Sequence, residues 1–199
     1  MTATAAEAVA RAIELRDHPS NKVHGYELGT GDYHEDINGE TVMPWTPSPY
    51  VANTLGTDCA GAAICHCFRI VRHEPGLNHQ PSATVSDDWN VNSAIETAGR
   101  LDLGGRFVVV PRGDAILAGD LLCYPTFRMP EVSAPFIGHV GIVVDASKYD
   151  GTFASLRVCQ SCGPDGRMPA VIETDGAHWD DHDRTWPLPQ HRTVVLRVA

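Results

Sequence analysis

The strongest constraint on the fold is a change of pattern near residue 105. Beyond it the chain becomes a succession of short extended segments separated by turn residues. Phe107 to Val110 lies between Gly105 and Pro111, and Ala118-Gly119-Asp120 turns into Leu121 to Tyr124. Further segments follow at Gly138 to Val144, Ala154 to Gln160, Ala170 to Glu173 and Thr193 to Val198. The preceding half reads differently. Ala8, Val9, Ala12, Ile13 and Leu15 give an apolar stripe to a helix over Thr4 to Arg16, which His18-Pro19-Ser20-Asn21 stops. A second helix begins near Cys59, and another is expected over Asn90 to Leu101, with Val91, Ala94, Ile95 and Ala98 on one side. Helices first and strands afterwards predict an α+β domain, its helices packed on an antiparallel sheet of about five to six strands.

At 199 residues the chain suits one domain, read here as an N-terminal helix and loop over 1–48 and a core over 49–199. Hydrophobic residues make up 43% and charged residues 20%, a globular rather than a disordered balance. The net charge of −10 argues against general affinity for nucleic-acid phosphates. No apolar run is long enough to span a bilayer, so no membrane association is expected. The first residues carry Glu7 where a secretory signal would carry basic and then apolar residues. Synthesis in the cytoplasm without a signal peptide is the expectation. Six cysteines are too sparse for a disulfide scaffold, although an even count leaves a bridge open.

Chemistry points first to Thr57-Asp58-Cys59-Ala60-Gly61. A loop ends at Asp58 and helix formers follow, with Ile64, Cys67, Phe68 and Val71 at helical spacing. Asp58 or Thr57 is suited to cap this helix, which places Cys59 in the first turn, where the helix dipole favours a thiolate. The residues alone leave two readings open: a nucleophile, or a small buried thiol. The strand Gly138-His139-Val140-Gly141-Ile142 supplies a candidate base. His139, Gly141 and Val143 share one strand face, and Gly141 is read as leaving space beside the imidazole. A cysteine nucleophile needs such a base near it in space, not in sequence.

Four fragments occur in a telling order: Pro49-Tyr50, Asp58-Cys59-Ala60-Gly61, Gly119-Asp120-Leu121 and Gly138-His139-Val140-Gly141-Ile142. Together they resemble the NlpC-type papain-like cysteine peptidases of bacterial cell walls, and they extend over roughly Pro49 to Ser161. The resemblance implies a papain-like fold in which Cys59 attacks an amide carbonyl with His139 as its base, through a thiolate–imidazolium pair. It sets Tyr50 beside the substrate and Asp58 there as well, chiefly as the residue that holds the helix start. It gives the Cys59 backbone amide a part in the oxyanion hole.

The sequence departs from the family at two places. Ala60 replaces a serine, which removes no group the chemistry needs. The residue that should orient the imidazole falls in Arg157-Val158-Cys159-Gln160-Ser161. Cys159 takes the family's position, as in the amidase effectors that bacteria inject into competitors, whereas Gln160 is the better hydrogen-bonding partner. Cys159 ranks first on position and Gln160 stays open.

The function implied is hydrolysis of an amide bond in the stem or cross-bridge peptides of peptidoglycan, without a cofactor. The setting implied is that of a phage lysin, a virion-associated enzyme or an injected effector, read as a monomer, acting on the wall after release or injection. A virion component or an immunity protein is the kind of partner this setting brings. Two rivals stand beside it. One is a papain-like amidase or acyltransferase acting on another acyl substrate. The other is an inactive binding domain with zinc on Cys65, Cys67, Cys159 and Cys162, His66 being an alternate ligand. The spacing Cys159-x-x-Cys162 suits zinc, but Cys65 and Cys67 diverge on a helix, so buried thiols are favoured and no metal is expected. The acidic stretch Gly29 to Glu40 lacks the spacing of a calcium loop. Glu173 to Trp186 is read as a solvated, charge-rich loop with Trp179 and Trp186 available for packing or stacking on sugar rings.

Overall fold

In the computed structural model, which describes residues 3–26, 34–35, 38–45, 56–70, 106–124, 138–162, 168–186 and 192–199, the first helix is α1 (Ala5–Asp17). It starts with a capping box: the Thr4 hydroxyl accepts from the Glu7 amide while the Glu7 carboxylate accepts from Thr4 N at 2.8 Å. Its buried stripe is Ala8, Arg11, Ala12 and Leu15. Ile13, expected on that stripe, is 37% exposed. Arg11 takes a buried place because its charge is met: Nε donates to His66 O at 2.9 Å and both terminal nitrogens donate to Thr41 Oγ1. Pro19–Lys22 forms a short 3₁₀ turn where the helix was expected to stop. Two short strands, β1 (His34–Glu35) and β2 (Thr41–Val42), pair antiparallel ahead of the cysteine segment.

Helix α2 covers residues 59–68 and is not a plain α-helix. Gly61–His66 is π-helical: Cys67 N reaches back five residues to Ala62 O, and Ile70 N reaches Cys65 O at 2.9 Å. Every residue from Gly61 to Phe68 is buried, so the expected stripe of Ile64, Cys67 and Phe68 is part of a helix enclosed on all sides. Val71 and the helix expected over 90–101 lie outside the described residues.

Six strands form one antiparallel sheet: β3 (Phe107–Val110), β4 (Leu121–Tyr124), β5 (His139–Asp145), β6 (Arg157–Ser161), β7 (Val171–Asp175) and β8 (Val194–Val198). Their order is β3-β8-β4-β5-β6-β7. The chain is therefore α+β, with an antiparallel sheet of the expected size.

Alternation along the strands divides the core into two layers. On the first face Leu121, Cys123, Val140, Ile142, Cys159 and Val171 pack against α1 and α2. On the second face Leu122, Tyr124, Val143, Val158 and Val195 pack against Trp179. Trp179 belongs to α3 (Ala177–Thr185) and is fully buried. This corrects the solvated-loop reading of Glu173 to Trp186. Val171–Asp175 is a strand, and the charges after it lie on the outer side of a helix whose inner side holds Trp179 and His182.

Candidate active site

The segment entering α2 is tied down before the helix begins. Thr57 N donates to Gly25 O, and Ser161 Oγ of β6 donates to Thr57 O at 2.9 Å. Asp58 is the cap: Oδ1 accepts from Gly61 N at 2.6 Å. At 2% exposed, Asp58 holds the helix start and presents almost no surface to a ligand. Cys59 follows in the first turn, half-buried and packed against the edge of the first core layer. Four other thiols, Cys65, Cys67, Cys123 and Cys159, are buried; burial pushes Cys67 and Cys123 far above the ordinary thiol range and Cys159 up to about 12. Those three are poor nucleophiles. Tyr50 lies outside the described residues.

His139 opens β5 and is paired in register with Tyr124 of β4. Its Nε2 lies 2.6 Å from Gln160 Oε1. Gln160 Nε2 donates in turn to Thr174 Oγ1 at 2.7 Å, and Thr174 Oγ1 donates to the Asp175 carbonyl at 2.8 Å. The direction of this chain follows from its last link. A carbonyl only accepts, so the Thr174 proton is committed to Asp175 and the Thr174 oxygen must accept from Gln160. The amide nitrogen of Gln160 then faces Thr174 and its oxygen faces His139. His139 therefore carries its proton on Nε2, and Nδ1 is the basic nitrogen.

Cys159 does not make this contact. Gln160 pairs with Gly141 and Cys159 with Ile142, so Cys159 points into the first core layer, away from the imidazole. Of the two candidate orienting residues, the hydrogen bond goes to Gln160, and the preference for Cys159 on position is corrected. The space beside Gly141 is also filled. A methyl built there would meet Val158 Cγ1 at 2.8 Å and Trp179 Cη2 at 2.9 Å. Gly141 makes room for Trp179, not for a ligand, and the Trp179 ring stacks beside His139 at 5.7 Å between centroids.

Burial lowers the His139 imidazole to about 4; the Gln160 hydrogen bond opposes this, while His178 and His182 add to it. The ring is thus held neutral near pH 7 rather than as an imidazolium. It sits on the wall of a cavity of about 420 Å³ whose described lining includes Tyr124, Gln160, Cys162, Thr174 and His178.

Neither a family model, a curated protein nor a solved structure matches this chain.

Cys59 and His139 both lie toward the Tyr124 end of β4. Cys59 packs against the first layer, near enough for its charge to raise both Cys123 and Tyr124, and Tyr124 is the residue paired with His139. Cys59 is not among the described residues lining the His139 cavity; Cys162 is. Cys159 packs into the first core layer whereas Cys162 lines the His139 cavity, which separates the spacing that suggested zinc. Among the described residues no group of three or more His, Cys, Asp or Glu side chains is arranged to hold a metal ion. No described helix is long and apolar enough to cross a membrane.

Sequence reasoning missed His178, Trp179 and His182 as site neighbours. The Tyr124 hydroxyl is 2.7 Å from His178 Nε2, and the Tyr124 ring stacks on His182 with centroids 3.7 Å apart. The spacing of Trp179 and His182, three residues apart among charges, was the signal available for a helix face, and the loop reading passed over it.

Proposed function

We propose that this chain is a papain-like cysteine hydrolase cleaving an amide bond in the peptide portion of peptidoglycan. The observation that carries the reading is the directed chain from His139 through Gln160 to Thr174, at the sheet end beside the helix that starts at Cys59. It gives the imidazole one orientation and one basic nitrogen, which a general base requires and a packing histidine does not. In this reading His139 Nδ1 accepts the thiol proton of Cys59, the sulfur adds to the amide carbonyl, and the imidazolium returns the proton to the leaving amine. Water, deprotonated by the same nitrogen, releases the acyl group and restores the thiol. Choice of peptidoglycan rather than another acyl substrate rests on the four ordered sequence fragments.

The test is mass analysis of fragments released from purified peptidoglycan of known stem composition. New amine and carboxyl ends from the wild type, and none from Cys59→Ala, are expected. Undiminished cleavage by Cys59→Ala removes Cys59 from the mechanism.

A second assignment of the nucleophile has one observation in its favour. Cys162 is half-buried and lines the same cavity as His139. Loss of cleavage in Cys162→Ala with retention in Cys59→Ala selects it.

A further inference from the structure

A hydrogen-bonded pair that the mechanism above does not use occupies the same cavity. Tyr124 ends β4 directly across from His139, with the two rings 5.9 Å apart. Its hydroxyl lies 2.7 Å from Nε2 of His178, on the first turn of α3. The phenol ring is clamped by the near-parallel imidazole of His182, 3.7 Å away and tilted by 9°. His178 stands edge-on to His139 at 5.7 Å. Strand β4 and helix α3, packed on one face of the sheet, thus combine to place one hydroxyl in the cavity that holds His139.

Burial holds the Tyr124 phenol above its ordinary range, and the charges of Cys59 and Cys162 add to the shift. It keeps its proton throughout the neutral range and acts as a donor. His178 is pushed down by burial and by His182, with Asp181 opposing. A neutral His178 has one N–H. When that hydrogen is on Nε2, His178 donates to the Tyr124 oxygen, and the phenolic proton is directed elsewhere.

We propose that Tyr124 is a catalytic hydrogen-bond donor, holding the substrate acyl oxygen beside His139, and that His178 is the residue that positions it. This rests on the hydrolase reading. Tyr124 lies at the one place both halves of the site share, across from His139 on one face and next in sequence to Cys123, which neighbours Cys59, on the other. The phenol keeps its proton throughout: its O–H bond points at the carbonyl oxygen in the ground state and at the oxyanion after attack, where the interaction is stronger.

The experiment measures kcat and KM for fragment release by the wild type, Tyr124→Phe, His178→Ala, His178→Gln and the Tyr124→Phe/His178→Ala double variant. Alkylation of the reactive thiol and thermal unfolding are followed in parallel. Tyr124→Phe is expected to lower kcat about 10²-fold, the scale for one oxyanion donor, with KM and thiol alkylation little changed. His178→Ala should lower kcat similarly, His178→Gln should restore part of it through its amide N–H, and the double variant should match Tyr124→Phe. Wild-type kcat in Tyr124→Phe, or losses that multiply in the double variant, overturn the inference while leaving the hydrolase reading intact. If Tyr124→Phe does not fold, equal rates for His178→Ala and His178→Gln overturn it instead. A wild type that releases no fragments overturns the hydrolase reading and this inference together.

Discussion

Gln160 reaches His139 across one strand pair, at 2.6 Å, while its neighbour Cys159 faces the opposite core layer. Adjacent residues of β6 therefore belong to different parts of the molecule. Gln160→Ala removes the acceptor that fixes the proton on Nε2 and leaves the imidazole free to rotate. A fall in kcat of about 10²-fold is expected, the lower end of what general-base catalysis contributes. Cys159→Ala should leave kcat within a few-fold and cost about 1 kcal/mol of stability through the small void it opens. Parallel kinetics and urea titrations of the two variants check this; a larger kinetic loss in Cys159→Ala reverses the assignment.

The positions of the strands were legible from their turn residues, but not which face each residue takes. A shift of one residue in register exchanges the two faces of a strand. The pairing of β5 with β6 contains an irregularity between Val143 and Asp145, and no local pattern in Arg157 to Ser161 announces it. The preference for Cys159 rested on its position in the family pattern, which does not state the face a side chain takes. Gly141 was misread for a related reason: the occupant of its space, Trp179, comes from a helix whose charges concealed its buried side. By contrast the cap of α2, determined by residues within three positions of it, was narrowed to Asp58 or Thr57 from the sequence, and Asp58 takes it.

Two half-buried thiols compete for the role of nucleophile, and their settings separate them. Cys59 stands in the first turn of a helix, where the dipole favours an anion, and Cys162 follows the last residue of β6 beside the imidazole. Iodoacetamide labelling near pH 6 followed by peptide mapping should modify Cys59 first, since only a thiol with a lowered pKa reacts there. Cys162→Ala should keep most of its cleavage activity. Faster labelling at Cys162, with activity lost in step, transfers the role.

Gly141 is the point at which the second layer meets His139 through Trp179. Gly141→Ala places a methyl within 3 Å of both Val158 and Trp179, and neither belongs to a flexible chain end. Overpacking of this kind costs about 1 to 3 kcal/mol. Trp179 stacks on His139, so any shift of the indole moves the imidazole as well. Gly141→Ala should thus lose stability and lower kcat together, with tryptophan fluorescence changed. A stable variant of full activity shows that the Trp179 contact does not position the base.

His66 predicts how the fold responds to acid. It is fully buried in α2, neither ring nitrogen has a hydrogen-bond partner among the described residues, and burial lowers it from 6.5 to about 3, with Arg11 and His18 adding to the shift. Between those two values the unfolded chain binds a proton that the native chain refuses. Stability therefore falls as pH drops through this window, by up to about 1.4 kcal/mol per pH unit for this one group. His139, lowered to about 4, acts in the same direction. Urea midpoints measured from pH 7.5 down to pH 4.5 should decline for the wild type. His66→Leu fills the same apolar site without a titrating ring, so its decline should be shallower by about one proton's contribution, with the His139 part remaining. Parallel pH profiles for the two proteins place the acid sensitivity elsewhere than in His66.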